Sequence, residues 1–281
     1  MRESNPTRFG PDGGAVAAYG HSGYRHEALF YAGLAVLIIA VTSPIDYWSE
    51  RYLSLHIVQH LLLAFFAPPL IVLGAPWLPL MRGLPRPLRR ALGRSMQLTR
   101  SGRRGQVGTV ARLLTGARHV LSRPLTSVLL FNATMVLWHF PAPYDLALEN
   151  QTVHIWLEHS SFFLFGLALW LQVFGSYPLR PIFDGPRRVA ILIATNAVMV
   201  LIAMTLVMFT KAIYSGYSAI HTASLRATDQ QIGGAILWVC GEVVFLPAIL
   251  FTVARWLDTG SGAPPPGVPQ LVASNQPARL P

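Results

Sequence analysis

Charge is what this sequence has least of. Only 12% of its 281 residues are charged, about half the share of a soluble globular domain, while 52% are hydrophobic and the mean hydropathy is +0.43. Cysteine is almost as scarce. Cys240 stands alone, which excludes an intrachain disulfide and any CxxC metal or redox motif. Lys211 is the sole lysine, so the formal charge of +10 rests on arginine, and its placement between apolar runs gives no nucleic-acid footprint. No GxSxG, GxGxxG or P-loop occurs, so a nucleophilic triad, a dinucleotide site and a phosphate loop lack support, and a non-enzymatic role is expected. The first 26 residues carry no apolar stretch followed by a small-residue cleavage site, so a cleaved signal peptide is not expected.

What remains is a polytopic membrane protein. Apolar runs at 28–44, 52–74, 124–140, 152–174, 189–209 and 231–257 predict six spans, and hence an all-α transmembrane helical bundle of one domain over 27–258. The first run, about 17 residues, is at the lower limit for crossing the hydrocarbon core. The polar stretch 1–26 and the Pro-rich tail 259–281 are expected to be disordered. Between the second and third runs, residues 75–123 hold eleven arginines and no acid. Loops on that side carry 19 cations against 3 on the other, so both termini and the Arg-rich loop are expected on the cytoplasmic side of a bacterial cytoplasmic membrane. The loop reads as a topogenic signal in contact with anionic lipid headgroups, with a docking site for a partner protein as the alternative.

This topology sorts the histidines. His56 and His60, four apart, share one face of the second span and lie roughly 6 and 12 Å from its external end at Tyr52. His139 closes the third span, His154 and His159 open the fourth, and His221 precedes the sixth, all on the external side. Ionisable groups within a membrane are costly and point to function. Met204 and Met208, an i, i+4 pair at the external end of span five, add thioethers, and a mixed imidazole and thioether set suits copper, Cu(I) above all. The carboxylates of Glu158, Asp229 and the deeper Glu242 are placed to orient such ligands and need not be ligands themselves. His154 and His159 are about 140° apart round an α-helix, which argues against a shared ligand, and Glu158 stands at i+4 from His154. Bland readings stay open: a lone intramembrane histidine can bond a neighbouring helix, methionine in a span is usually packing, and Trp48, Trp77, Trp138, Trp156 and Trp256 fit interfacial anchoring. Haem ligation by paired histidines is the rival cofactor reading, and a copper permease is the rival transport reading.

The runs HIVQHLLLAFFAPPLIVLGAP (56–76), WHFPAPYDLAL (138–148), HIWLEHSSFFLFGLALW (154–170) and DQQIGGAILW (229–238), in this order, resemble the signatures of CtaG-type cytochrome c oxidase assembly factors. The resemblance covers about residues 28–257. It implies an integral membrane assembly factor for haem–copper oxidase, a part in delivering copper to the oxidase catalytic subunit, and functional weight for His56, His60, His139, His159, Asp229 and Gln230. Members often carry one more span before the first, making seven; six are evident here.

Overall fold

The computed structural model describes residues 12–74, 85, 124–176, 183–214, 216, 217, 220 and 222–260, with backbone alone for 12–23, 259 and 260. The Arg-rich stretch 75–123 (Pro85 apart), His221 and the tail beyond Gly260 lie outside the described residues. All regular elements among those residues are helical. They are α1 (Asp12–Thr42), α2 (Pro44–Ser49), α3 (Leu53–Leu61), a π-helical turn Leu62–Phe66, α4 (Ala67–Leu73), α5 (Pro124–Trp138) and α6 (Pro141–Glu149). There follow α7 (Gln151–Val153), a second π-helical segment His154–His159, α8 (Ser160–Phe174), α9 (Gly185–Met208) and α10 (Ala223–Gly260). Positions 12–26, expected to be disordered from their polarity, include the start of α1 and are helical from Asp12 onward.

Five stretches are long and apolar enough to cross a membrane: Tyr24–Thr42, Leu53–Leu73, Gln151–Phe174, Gly185–Met208 and Ala223–Asp258. The third expected span, 124–140, is not straight. Its helix stops at Trp138, and α5 and α6 meet at 77°. Pro141 and Pro143 explain the break, because neither can donate to the preceding turn, and Phe140 is extended before Pro141 opens α6. Elsewhere the helix ends follow local chemistry. Ser43 Oγ accepts from the Ile45 amide ahead of Pro44, Asp184 accepts from the Arg187 amide at the start of α9, and α8 ends at Gly175 with φ 67°.

The centre of the bundle is the helix run from α3 to α4. It lies against α10 at its start and against α1 and α8 further along, while α9 runs beside α10. Pro68 has no N–H, so the Ala64 carbonyl four residues earlier has no helical donor, and the chain passes through the π-helical turn there. The indole N–H of Trp170 donates to that carbonyl at 3.0 Å. One turn earlier Gly166 faces the same carbonyl, where an added Cβ would stand 2.9 Å from the oxygen. Trp170 and Gly166 thus fix α8 against the centre, one by donating and the other by being small. Gly234 does the same between α10 and α9, with the Ala203 carbonyl 2.9 Å from where its Cβ would be.

Candidate metal centre

The i, i+4 spacing of His56 and His60 on α3 brings their rings together, with centroids 4.2 Å apart and both side chains buried. Glu158 comes to them from the facing helix. Its Oε1 lies 3.5 Å from His56 Nε2 and 3.4 Å from His60 Nε2, and its Oε2 accepts from His154 Nδ1 at 2.9 Å. Donor atoms of His56, His60 and Glu158 all fall within 4.8 Å of one another. The i+4 pairing of His154 with Glu158 is therefore as expected, but one inference from spacing is overturned. His154 and His159 do meet, with ring centroids 4.1 Å apart. The cause is the π-helical segment His154–His159, in which hydrogen bonds run i to i+5, so residues five apart lie nearly above one another.

A second triad adjoins the first. Asp46, His154 and His159 also offer donor atoms mutually within 4.8 Å. Asp46 Oδ1 accepts from Gln59 Nε2 at 2.7 Å, and that same nitrogen donates to the Ala40 carbonyl at 2.8 Å, so a buried glutamine on α3 orients the carboxylate of α2. Among the described residues, both ring nitrogens of His56 and His60, Nε2 of His154 and His159, and Oε1 of Glu158 are buried without a hydrogen-bond partner. An unsatisfied buried polar group costs about 1–3 kcal/mol. Seven such atoms, gathered on four histidines and one carboxylate, fit cation binding far better than a packed core.

The end of the bundle above the triads is closed by aromatic side chains. Tyr144 of α6 lies over His56 at 5.0 Å between centroids, stacks on Tyr214 at 4.0 Å, and shares a hydroxyl hydrogen bond with Tyr217. Tyr214 in turn donates to the His139 carbonyl at 2.8 Å. Burial, aided by the Asp145 carboxylate, holds the Tyr214 phenol above its ordinary range, and burial does the same for Tyr217, so both remain neutral donors. His139 donates Nδ1–H to the Met135 carbonyl at 2.6 Å and belongs to neither triad.

Asp229 and Gln230 are structural neighbours of the site. Asp229 accepts from the Leu53 amide at 2.7 Å and from the Ser54 hydroxyl at 2.5 Å, so a residue of α10 caps the N-terminus of α3, for which Tyr52 supplies no side-chain cap. Gln230 accepts from the Ile213 amide at 2.7 Å and donates to the Leu206 carbonyl at 3.2 Å, tying the loop that bears Tyr214 to α10.

The remaining candidates lie elsewhere. Met208 is 64% exposed and Met204 half-buried, because the face of α9 turned inward carries Met199, Ala203 and Leu206. A side chain so exposed is not part of a buried cluster, and the thioether pair is not brought to the histidines as a pair. Glu242 accepts from Asn196 Nδ2 at 2.9 Å, between α9 and α10, and belongs to neither triad. Trp138, expected at the interface, is buried and donates to Ser161 Oγ at 2.9 Å, whereas Trp156 is 71% exposed. Sequence reasoning missed Asp46 and the three tyrosines. Asp46 follows Ser-Pro in a short polar break between spans, and the partners of Tyr144 are some seventy residues away, so only the fold reveals either.

Residues 16–259 match the sequence model of the cytochrome c oxidase caa3 assembly factor family (Caa3_CtaG). Curated relatives include an uncharacterized protein of Mycobacterium leprae, 26% identical over 239 residues, which cover 80% of this chain and 33% of that protein. Uncharacterized proteins of Mycobacterium bovis and Mycobacterium tuberculosis are each 24% identical over 229 residues, with the same shares covered. The chain spans about a third of the length of these relatives. No solved structure matches.

Proposed function

Because the chain belongs to the cytochrome c oxidase caa3 assembly factor family, we propose that it serves oxidase assembly by holding a copper ion at His56, His60 and Glu158 and releasing it to the oxidase catalytic subunit. One observation carries this reading: two buried imidazoles with no hydrogen-bond partner face one shared carboxylate oxygen inside an apolar bundle. Copper is cargo here, so the protein needs no catalytic residue. Each ligand has a defined part. The α3 helix fixes the two imidazoles on one face, Glu158 supplies countercharge, and His154, bonded to the other carboxylate oxygen, sets how Glu158 points. An imidazole and carboxylate set suits Cu(II), and two imidazoles without a thiolate leave the ion exchangeable. That shifts the expected oxidation state away from the Cu(I) that the methionines suggested.

The arginine distribution supports a histidine-bearing end on the external side of a bacterial cytoplasmic membrane, with copper arriving from outside. The haem alternative is disfavoured by packing. Phe162 and Tyr144 lie with ring centroids 4.3 and 5.0 Å from His60 and His56, which leaves no slot for a macrocycle between the rings.

The test is a competitive copper titration of the purified protein in detergent, beside His60→Ala, with oxidase activity measured in cells carrying each form. The expected result is a copper affinity lowered about 100-fold in His60→Ala, no Soret band in either protein, and oxidase activity restored by added copper. Unchanged affinity and unchanged oxidase activity in the variant would sink the reading.

A further inference from the structure

Beside the inner triad is a set of donors that the holding of one ion leaves unused. His154 and His159 each keep a buried Nε2 without a partner, and Asp46 meets them with a carboxylate already oriented by Gln59. The set also differs from the inner triad in where it lies. Asp46 and His159 line a cavity of about 250 Å³, together with Leu37, Val41, Leu63 and Ile155. Val41 and Ile155 are exposed on the side of the bundle, whereas His56 and Glu158 are wholly buried beneath the tyrosines. The cavity therefore reaches the outside laterally, past α1 and the π-helical segment.

We propose that Asp46, His154 and His159 form a second cation station, and that a divalent copper ion moves between the lateral cavity and His56, His60 and Glu158 by way of it. This rests on the metal-holding reading of the inner triad and adds its route. Geometry links the stations closely. Ring centroids of His56 and His154 are 5.2 Å apart and those of His60 and His159 5.8 Å, so the step is about one ring spacing. Glu158 serves both sides, with Oε1 toward the inner pair and Oε2 on His154 Nδ1. When His154 donates Nδ1–H to that oxygen, its Nε2 carries the lone pair a metal needs. Transfer is then ligand exchange with no change of oxidation state. The ion exchanges Asp46 and the outer imidazoles for the inner imidazoles and Glu158, and no bond within the protein is made or broken.

The test uses the full chain in detergent, equilibrium dialysis against Cu²⁺, metal analysis, and electron paramagnetic resonance. Wild type is expected to bind two equivalents with dipolar broadening between them. Asp46→Asn and His159→Gln are each expected to bind one equivalent with an unbroadened signal, and Asp46→Asn combined with His60→Ala none. Thermal unfolding of each variant in detergent separates ligand loss from misfolding, and the conservative Asp46→Asn retains an oxygen for Gln59. One equivalent in wild type that survives Asp46→Asn and His159→Gln but is lost in His60→Ala would overturn the second station and leave the inner site standing. Two equivalents surviving both outer variants would overturn it as well. No Cu²⁺ bound by folded wild type would overturn both readings.

Discussion

The two central crossings and the α9–α10 pair follow opposite rules. In Leu53–Leu73 and Gln151–Phe174, 72% and 50% of the most apolar stretch is buried, against 28% in each of Gly185–Met208 and Ala223–Asp258. The more hidden pair is the less apolar one. It carries both π-helical turns and, within the membrane, His56, His60, Glu158 and His159, while the other pair turns leucines, isoleucines and valines outward. In a bilayer, apolar surface gains little by leaving lipid, so helices are drawn inward by small residues and polar partners rather than by the hydrophobic effect. The centre here is held by hydrogen bonds to carbonyls and by glycine, and its buried polar groups gather in the candidate triads.

Substitutions can break this contrast. The largest effect is expected from Glu158→Ala, which removes the oxygen shared by His56 and His60 and the partner of His154 at once; copper affinity should fall by more than about 100-fold in the titration, beyond the loss from any one outer ligand. Trp170→Phe keeps an aromatic side chain but strips the donor from the Ala64 carbonyl, so it should destabilise by about 1–3 kcal/mol, read as a lower unfolding temperature in detergent. Asp229→Asn weakens the cap on α3 by about 1 kcal/mol and should lower the unfolding temperature less, with copper affinity moved only through α3. Smallest of all is Met204→Leu with Met208→Leu on α9. Copper affinity should stay within about twofold in the same titration, and a larger loss would return thioethers to the site.

How much of this was legible in sequence depended on whether a feature obeys an α-helical period. The His56–His60 pair and the His154–Glu158 pair are four apart and were readable as such, as was the Pro-rich break after His139. His154 with His159 was not, since a spacing of five is compatible with contact only in a π-helical turn, and no residue in HIWLEH announces one. Met204 and Met208 were over-read because an i, i+4 pair defines a face without saying which way the face points. The inward phase of α9 is set by Gly234 of α10 packing on Ala203, which is information from another helix. Asp229 and Gln230 stand near the start of α10, where they cap and tie backbone, a part that composition cannot distinguish from ligation.

The cap that Asp229 places on α3 also orders events in time. Among the described helices α10 is the last to leave the ribosome, yet it supplies the acceptor that the first turn of the histidine helix lacks. His56 and His60 therefore enter the membrane on a helix whose first turn has no side-chain cap until α10 joins it. A chain cut short before α10 would lack this cap, so the histidine helix gains its full set of hydrogen bonds only once α10 is in place.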